Sequence, residues 1–307
     1  MTIITPECFP TPDLALRSAD ERENRRVRGF AVEQAVIAEA TRARLAGELC
    51  GVRAEAERVA VLTAAHGDLM RWRYELAVRT GRRLGNGIPH DASRFSTPMR
   101  DTSPNFDRIG YLGRFRDGAR WDESTRTFRG GKETPAYRIM LRYGALAADR
   151  FTGNDGDVLH NQVVLPDGSP IAGNSLVRGA AARRIAQDLL ERIARRGVDT
   201  SQIETGGDPM YVVTATESAR SRMFGAAMGL LAGATSDGVA AWQAARYLFY
   251  QAPMTKKGSD AVTRTFLVTV GAILFGQAPV LAQDVDLRCI VAGQPAATAM
   301  PSDSLIL

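Results

Sequence analysis

Apolar residues recur at near-helical spacing along most of the chain. The pattern predicts a mainly α fold, a multi-helix core with one or two small β-hairpin or short-strand elements. From about Asp20 to Cys50, Phe30, Val32, Ala35, Val36, Ala40 and Leu45 trace one long amphipathic helix that Gly51 ends. Val59, Leu62, Leu69, Trp72 and Leu76 trace one or two more, finishing near Gly81. Tyr137, Met140, Leu141 and Leu146 place a helix between Glu133 and Arg150, with Pro135 acceptable in its first turn. The last third is the most apolar part and predicts three helices, Glu217 to Leu231, Asp237 to Tyr250 and Ser259 to Phe275.

Strand signals are fewer. Val163, Val164 and Leu165 run into the turn tripeptide Pro166-Asp167-Gly168, so Val158 to Ile171 reads as a hairpin. Asn174 or Ser175 is a suitable cap for a helix through Ile185, Leu189, Leu190 and Ile193 that stops at Gly197. Met210 to Thr214 fits a short strand, and Val285 to Ala292 alternates weakly enough to be another. Three prolines within residues 1–18 imply an irregular N-terminal arm, leaving 19–307 as a single helical domain. Within it, about 82–131 lacks a sustained period and is rich in Gly, Pro, Asn, Asp and Ser, which predicts an irregular insertion.

Composition narrows the classes. A chain of 307 residues with 45% hydrophobic content can bury a substantial core. The net charge of +5 comes mostly from Arg interleaved with acids, a solvated surface first and only weakly an attraction to polyanions. Cys8, Cys50 and Cys289 are far apart and without close Cys or His partners, so neither a disulfide framework nor a metal site is expected. The start lacks a basic and apolar leader, and the apolar runs fall short of the roughly 20 residues that cross a bilayer, so a cytoplasmic protein without a membrane role is expected.

The sharpest chemical signal is Pro253-Met254-Thr255-Lys256-Lys257-Gly258-Ser259-Asp260-Ala261-Val262-Thr263-Arg264. Two cations and a glycine precede a helix whose backbone N–H groups and macrodipole favour an anion. Arg264 follows on a helix apolar nearly all round, where a buried guanidinium needs a partner, either an internal acid such as Asp260 or a bound anion. The phosphate-binding set expected is Lys256, Lys257, Gly258, Ser259, Thr263 and Arg264, with Arg246 and Tyr250 on the preceding helix placed to lean toward the same anion.

These residues resemble, in degenerate form, the core motif of the Fic/Doc (Fido) superfamily, particularly its AvrB-like branch. Gly258 corresponds to the motif's first glycine, Ser259 to its asparagine and Arg264 to its last arginine, over roughly residues 217–276. The resemblance implies a Fido-like core at about 133–292, and an enzyme, transferase or lyase, that binds a phosphorylated small molecule or nucleotide and carries out group transfer or elimination. A nucleotide as co-substrate is the cofactor implied. No histidine lies in Gln251 to Met254, a lack shared by the AvrB-like branch, and Lys257 stands where the family has a metal-holding acid, which implies metal-independent binding.

His160, Lys257 and Arg264 are the catalytic candidates, His160 because an imidazole suits proton transfer near neutral pH. His66-Gly67-Asp68 and His90-Asp91 each set an acid beside a histidine, without any nucleophile signature nearby. Phe151 to Asp157 is a tight turn or a fragment of a calcium loop. Arg108, Arg114, Arg116 and Arg120 alternate with Phe106, Tyr111, Phe115 and Trp121, which supports a second reading: a noncatalytic module binding nucleic acid or an acidic partner.

Overall fold

The computed structural model describes residues 3–80, 91–234 and 238–298. Its fold is mainly helical with a few short strands. The predicted first helix is divided at Gly29 into α1 (Glu21–Arg28), capped by the Asp20 carboxylate, and α2 (Phe30–Leu49). The next pattern is one continuous helix, α3 (Glu55–Thr80). α4 (Pro135–Asp149) begins under the Thr134 hydroxyl, which accepts from the Tyr137 N–H at 3.1 Å. In the last third come α6 (Glu217–Gly233), α7 (Val239–Gln251) and α8 (Ser259–Phe275). The predicted start of α7 at Asp237 lies outside the described residues.

A layer of α2, α3, α6, α7 and α8 holds the largest core, and α8 packs against α2, α3 and α7. That environment explains the all-round apolarity of α8, whose Phe266, Leu267 and Val268 are fully buried. The N-terminal arm joins the same core through Ile4, Cys8 and Phe9.

The second layer is an antiparallel sheet in the order β1-β6-β5-β4, from β1 (Phe106–Ile109), β4 (Val158–Val164), β5 (Pro170–Val177) and β6 (Met210–Val213). A separate ribbon pairs β2 (Arg120–Asp122) with β3 (Thr127–Arg129). The supposed insertion thus contributes the edge strand β1, and part of it belongs to the main fold. Alternation along the strands sorts their side chains onto two faces. Leu176 and Val212 pack with α4 and with α9 (Val285–Val291), whereas Val177 and Tyr211 pack with α5 (Gly179–Ala194).

Asn174 and Ser175 do not cap α5, because β5 runs through both. The first turn of α5 is capped from a distance by Asp157, whose carboxylate accepts from the Ala181 N–H at 3.0 Å, so the Asp-rich stretch is a turn that feeds a helix. Val285 to Val291 is helical rather than extended, and it carries Arg264's partners at its entrance.

The sheet and helical layers are joined by a buried amide network. Gln251 of α7 accepts from the Asn174 N–H at 3.0 Å and donates to the Cys289 carbonyl at 2.8 Å, while Asn161 and Asn174 both donate to the Ile290 carbonyl. Gly173 keeps the strand close, since a Cβ there would sit 2.4 Å from the Gln251 Oε1.

His66 of α3 is enclosed by the rings of Phe224, Phe249 and Phe266, and burial pushes its pKa down to about 4 from 6.5. The Asp68 carboxylate turns outward to Arg44 and Arg71, so no acid–histidine pair forms. His90 lies outside the described residues.

Between pH 6.5 and 4 the unfolded chain binds a proton at His66 that the folded chain refuses, so the stability this histidine contributes above pH 6.5 is lost as pH falls. The expected loss is about 3 kcal/mol, read from urea melts across this range, and His66→Phe should flatten that part of the profile. A Cβ at Gly144 would lie 2.3 Å from the Gly110 Cα, so Gly144→Ala should destabilise the fold by about 1–3 kcal/mol despite its better helix propensity.

Candidate functional site

The basic loop folds, but its chemistry is distributed differently from the sequence pattern. The segment 97–99 runs beside 254–256: the Met99 N–H donates to the Met254 carbonyl at 3.1 Å and the Lys256 N–H to the Thr97 carbonyl at 3.1 Å. The Lys257 N–H donates to the Arg94 carbonyl. Gly258 has φ +86°, and a Cβ there would lie 2.6 Å from the Phe95 ring. The space that a phosphate would need above this glycine is therefore filled by an aromatic side chain, and Gly258 serves packing.

The other members of the expected anion set point inward. Arg264 is buried; its Nε donates to Asp260 at 2.8 Å, its Nη1 and Nη2 to the carbonyls of Ala282 and Gln283, and its Nη2 also approaches Asp286 at 3.3 Å. The internal acid is the partner. The Ser259 hydroxyl turns back to the Thr255 carbonyl, and Thr263 is buried. Arg246 is fully buried, donating to the Ala297 carbonyl at 2.9 Å, while Tyr250 donates to Asp260. Neither leans toward a ligand on the loop. His160 lies on β4, at the sheet edge opposite β1, where it shares a hydrogen bond with Ser175. Three strand spacings of about 4.8 Å separate those edges, too far for His160 to join chemistry beside β1.

Lys256 and Lys257 do face a cavity. It measures about 550 Å³ and lies between the C-terminal end of α5, the loops at 91–97 and 103–107, and the two lysines. Arg94, Arg192 and Arg196 join them, and Asp91 and Asp107 are the acids of its wall. Among the described residues, none of the five cations lies within the 4.0 Å of an ion pair with a carboxylate. Lys256 Nζ donates to the Ser103 hydroxyl at 2.5 Å, and Asn105 staples the loop by donating to the Lys256 carbonyl at 3.1 Å. The Arg192 guanidinium lies 5.7 Å over the Phe106 ring.

Such crowding has an electrostatic cost. Burial, and then repulsion from Arg192 and Arg94, lower the Lys256 pKa to about 8. Burial and Arg94 lower Lys257 in the same direction. Five cations face two carboxylates, Asp91 and Asp107, so the cavity carries an excess of positive charge.

A second cavity of about 520 Å³ adjoins the first and shares Phe106, Asp107, Leu189 and Ile193 with it. All four residues of β1 line it because β1 is an edge strand with its outer side unpaired in the sheet. Asp107, exposed to both cavities, has its pKa raised by loss of solvation, and Arg94 opposes that shift. Burial and the neighbouring Asp260 charge likewise raise Asp286, which lines the second cavity while bound to Arg264.

The Arg and aromatic stretch is mostly engaged internally. Arg108 donates to the carbonyls of Glu204 and Gly206, Arg114 to the buried Glu204 carboxylate, and Arg116 to the carbonyls of Gly130 and Gly131. Arg17 covers the buried Phe115 ring at 4.3 Å, and Arg116 covers Tyr137 at 4.7 Å. These contacts tie Arg108, Arg114 and Arg116 to the fold, while Arg120 on β2 is exposed.

Among the described residues no group of His, Cys, Asp and Glu is placed to hold a metal ion, and no helix is long and apolar enough to cross a membrane. No protein-family model matches the chain, and no curated protein matches it as a relative.

Sequence reasoning missed Arg94, Arg192, Arg196 and Asp107. Arg192 and Arg196 are four apart on the last turn of a helix and the residues just after it, a spacing that signals a shared face. Nothing local tied either to the lysines. Arg264→Met should cost about 3–5 kcal/mol in urea melts by leaving Asp260 and Asp286 without their cation. Sulfate affinity of the folded protein should stay unchanged, since Arg264 does not line the basic cavity.

Proposed function

We propose that the protein is an enzyme that binds a phosphate-bearing small molecule in the basic cavity and catalyses group transfer or elimination on it. The observation that carries this reading is the convergence of Arg94, Arg192, Arg196, Lys256 and Lys257 from separate stretches of chain on one cavity, with no ion pair to a described carboxylate. A merely solvated cationic surface has no reason to gather in a concavity at a cost in lysine basicity.

In this reading Lys256, Lys257 and the arginines neutralise phosphate oxygens, the arginines offering paired N–H donors and the lysines point charges. Ser103 and Asn105 hold the lysine loop at the start of β1. Asp107 stands at the wall shared with the second cavity and is the carboxylate placed for proton transfer there. Positioning and charge neutralisation supply the rest of the catalysis. The transferase or lyase chemistry implied by the likeness to the AvrB-like branch is kept within this proposal, with the phosphate site moved from Gly258 and Arg264 to the cavity beside them.

The test is calorimetric titration with sulfate, pyrophosphate and a panel of phosphorylated metabolites. Arg192→Gln and Lys256→Gln should each weaken pyrophosphate binding about tenfold while leaving the melting temperature nearly unchanged, and equal affinity in both variants would refute the site. Sulfate keeps a fixed charge through the alkaline range, so its affinity isolates the titration of the protein's own lysines. Above pH 8 the free lysine sheds the proton that the bound anion requires, and sulfate affinity should fall as pH rises from 8 to 9.5.

A further inference from the structure

We infer that the second cavity, along the open edge of β1, receives the apolar body of the same ligand, so that the substrate class is a phosphate monoester of a ring-sized hydrophobic alcohol. This rests on the basic-cavity reading above. Three observations carry it. The two cavities share wall residues Phe106, Asp107, Leu189 and Ile193, so they lie side by side. Their characters differ: the first gathers five cations, while the second is walled by Leu14 from the arm, Met140 from α4, Ala186 from α5 and Ile290 from α9. At about 520 Å³ the second is the size of small-molecule sites, which are largely apolar with a few fixed polar groups.

Most charged groups of the second cavity are held by the fold, Arg17 by the Leu14 carbonyl and the Phe115 ring. Arg108 and Arg114 are held by Glu204 and its neighbours, and Asp286 is bound to Arg264. A second phosphate would find few free cations there, whereas an uncharged ring would cover apolar surface from four elements. Asp107 then stands where the ester's charged head meets its hydrophobic body.

The experiment compares methyl phosphate, phenyl phosphate and 1-naphthyl phosphate by calorimetry at fixed ionic strength and pH 7.5. All three carry the same head group, so differences report the apolar body. The expected result is 1-naphthyl phosphate binding about 10- to 100-fold more tightly than methyl phosphate, with a more negative heat-capacity change. Ile290→Trp, which fills the second cavity, should erase that advantage and leave methyl phosphate affinity as it was. Gln202→Trp, at an exposed position on the rim, gives the same readout without disturbing the core. Equal affinity for the three esters, or an advantage that survives both tryptophan variants, would overturn the inference while the basic cavity stood. Failure of methyl phosphate, pyrophosphate and sulfate alike to bind would instead overturn the basic cavity, and this inference with it.

Discussion

A buried guanidinium organises this molecule. Arg264 sits on the innermost helix, where an uncompensated charge would be prohibitive, and it is satisfied by two carboxylates and two main-chain carbonyls. Those carbonyls belong to the segment that leads into α9, so one side chain fixes where the polypeptide turns after α8 and where α9 lies against the sheet. The amide network of Asn161, Asn174 and Gln251 then locks that placement from the strand side. With α9 fixed, the wall of the second cavity is fixed, including Asp286 and Ile290.

Most of the helical framework could be read along the chain because the core is large and its periodicity is local. α8 was placed to the residue, and α4, α6 and the β4–β5 turn nearly so. The failures share a cause. Val285 to Val291 is short, and its apolar positions suit either period, so only packing against α4 and α7 decides for a helix. The cap of α5 was missed because Asp157 supplies it from 24 residues away. β1 was hidden in a stretch without periodicity because an edge strand of four residues offers no repeat to detect.

The proposed site was half legible. Lys256 and Lys257 were found because adjacent cations before a helix are a local pattern. Their partners were not, because Arg94, Arg192 and Arg196 converge only once the sheet and α5 are in place. Arg264, Gly258 and Ser259 matched an anion-binding motif in spacing, yet each is occupied by the interior: a carboxylate, an aromatic ring and a carbonyl. Spacing along one segment says which groups are near one another and says nothing of what the remainder of the chain lays against them.

The scattered origin of the cavity's cations has a thermodynamic consequence. The unfolded chain spreads these five residues along more than 160 positions of sequence and offers no comparable concentration of charge. An anion bound as proposed would recognise only the folded form and act as a mobile staple across the loop, α5 and the start of the sheet. The molecule's resistance to unfolding would thereby be coupled to the supply of that ligand.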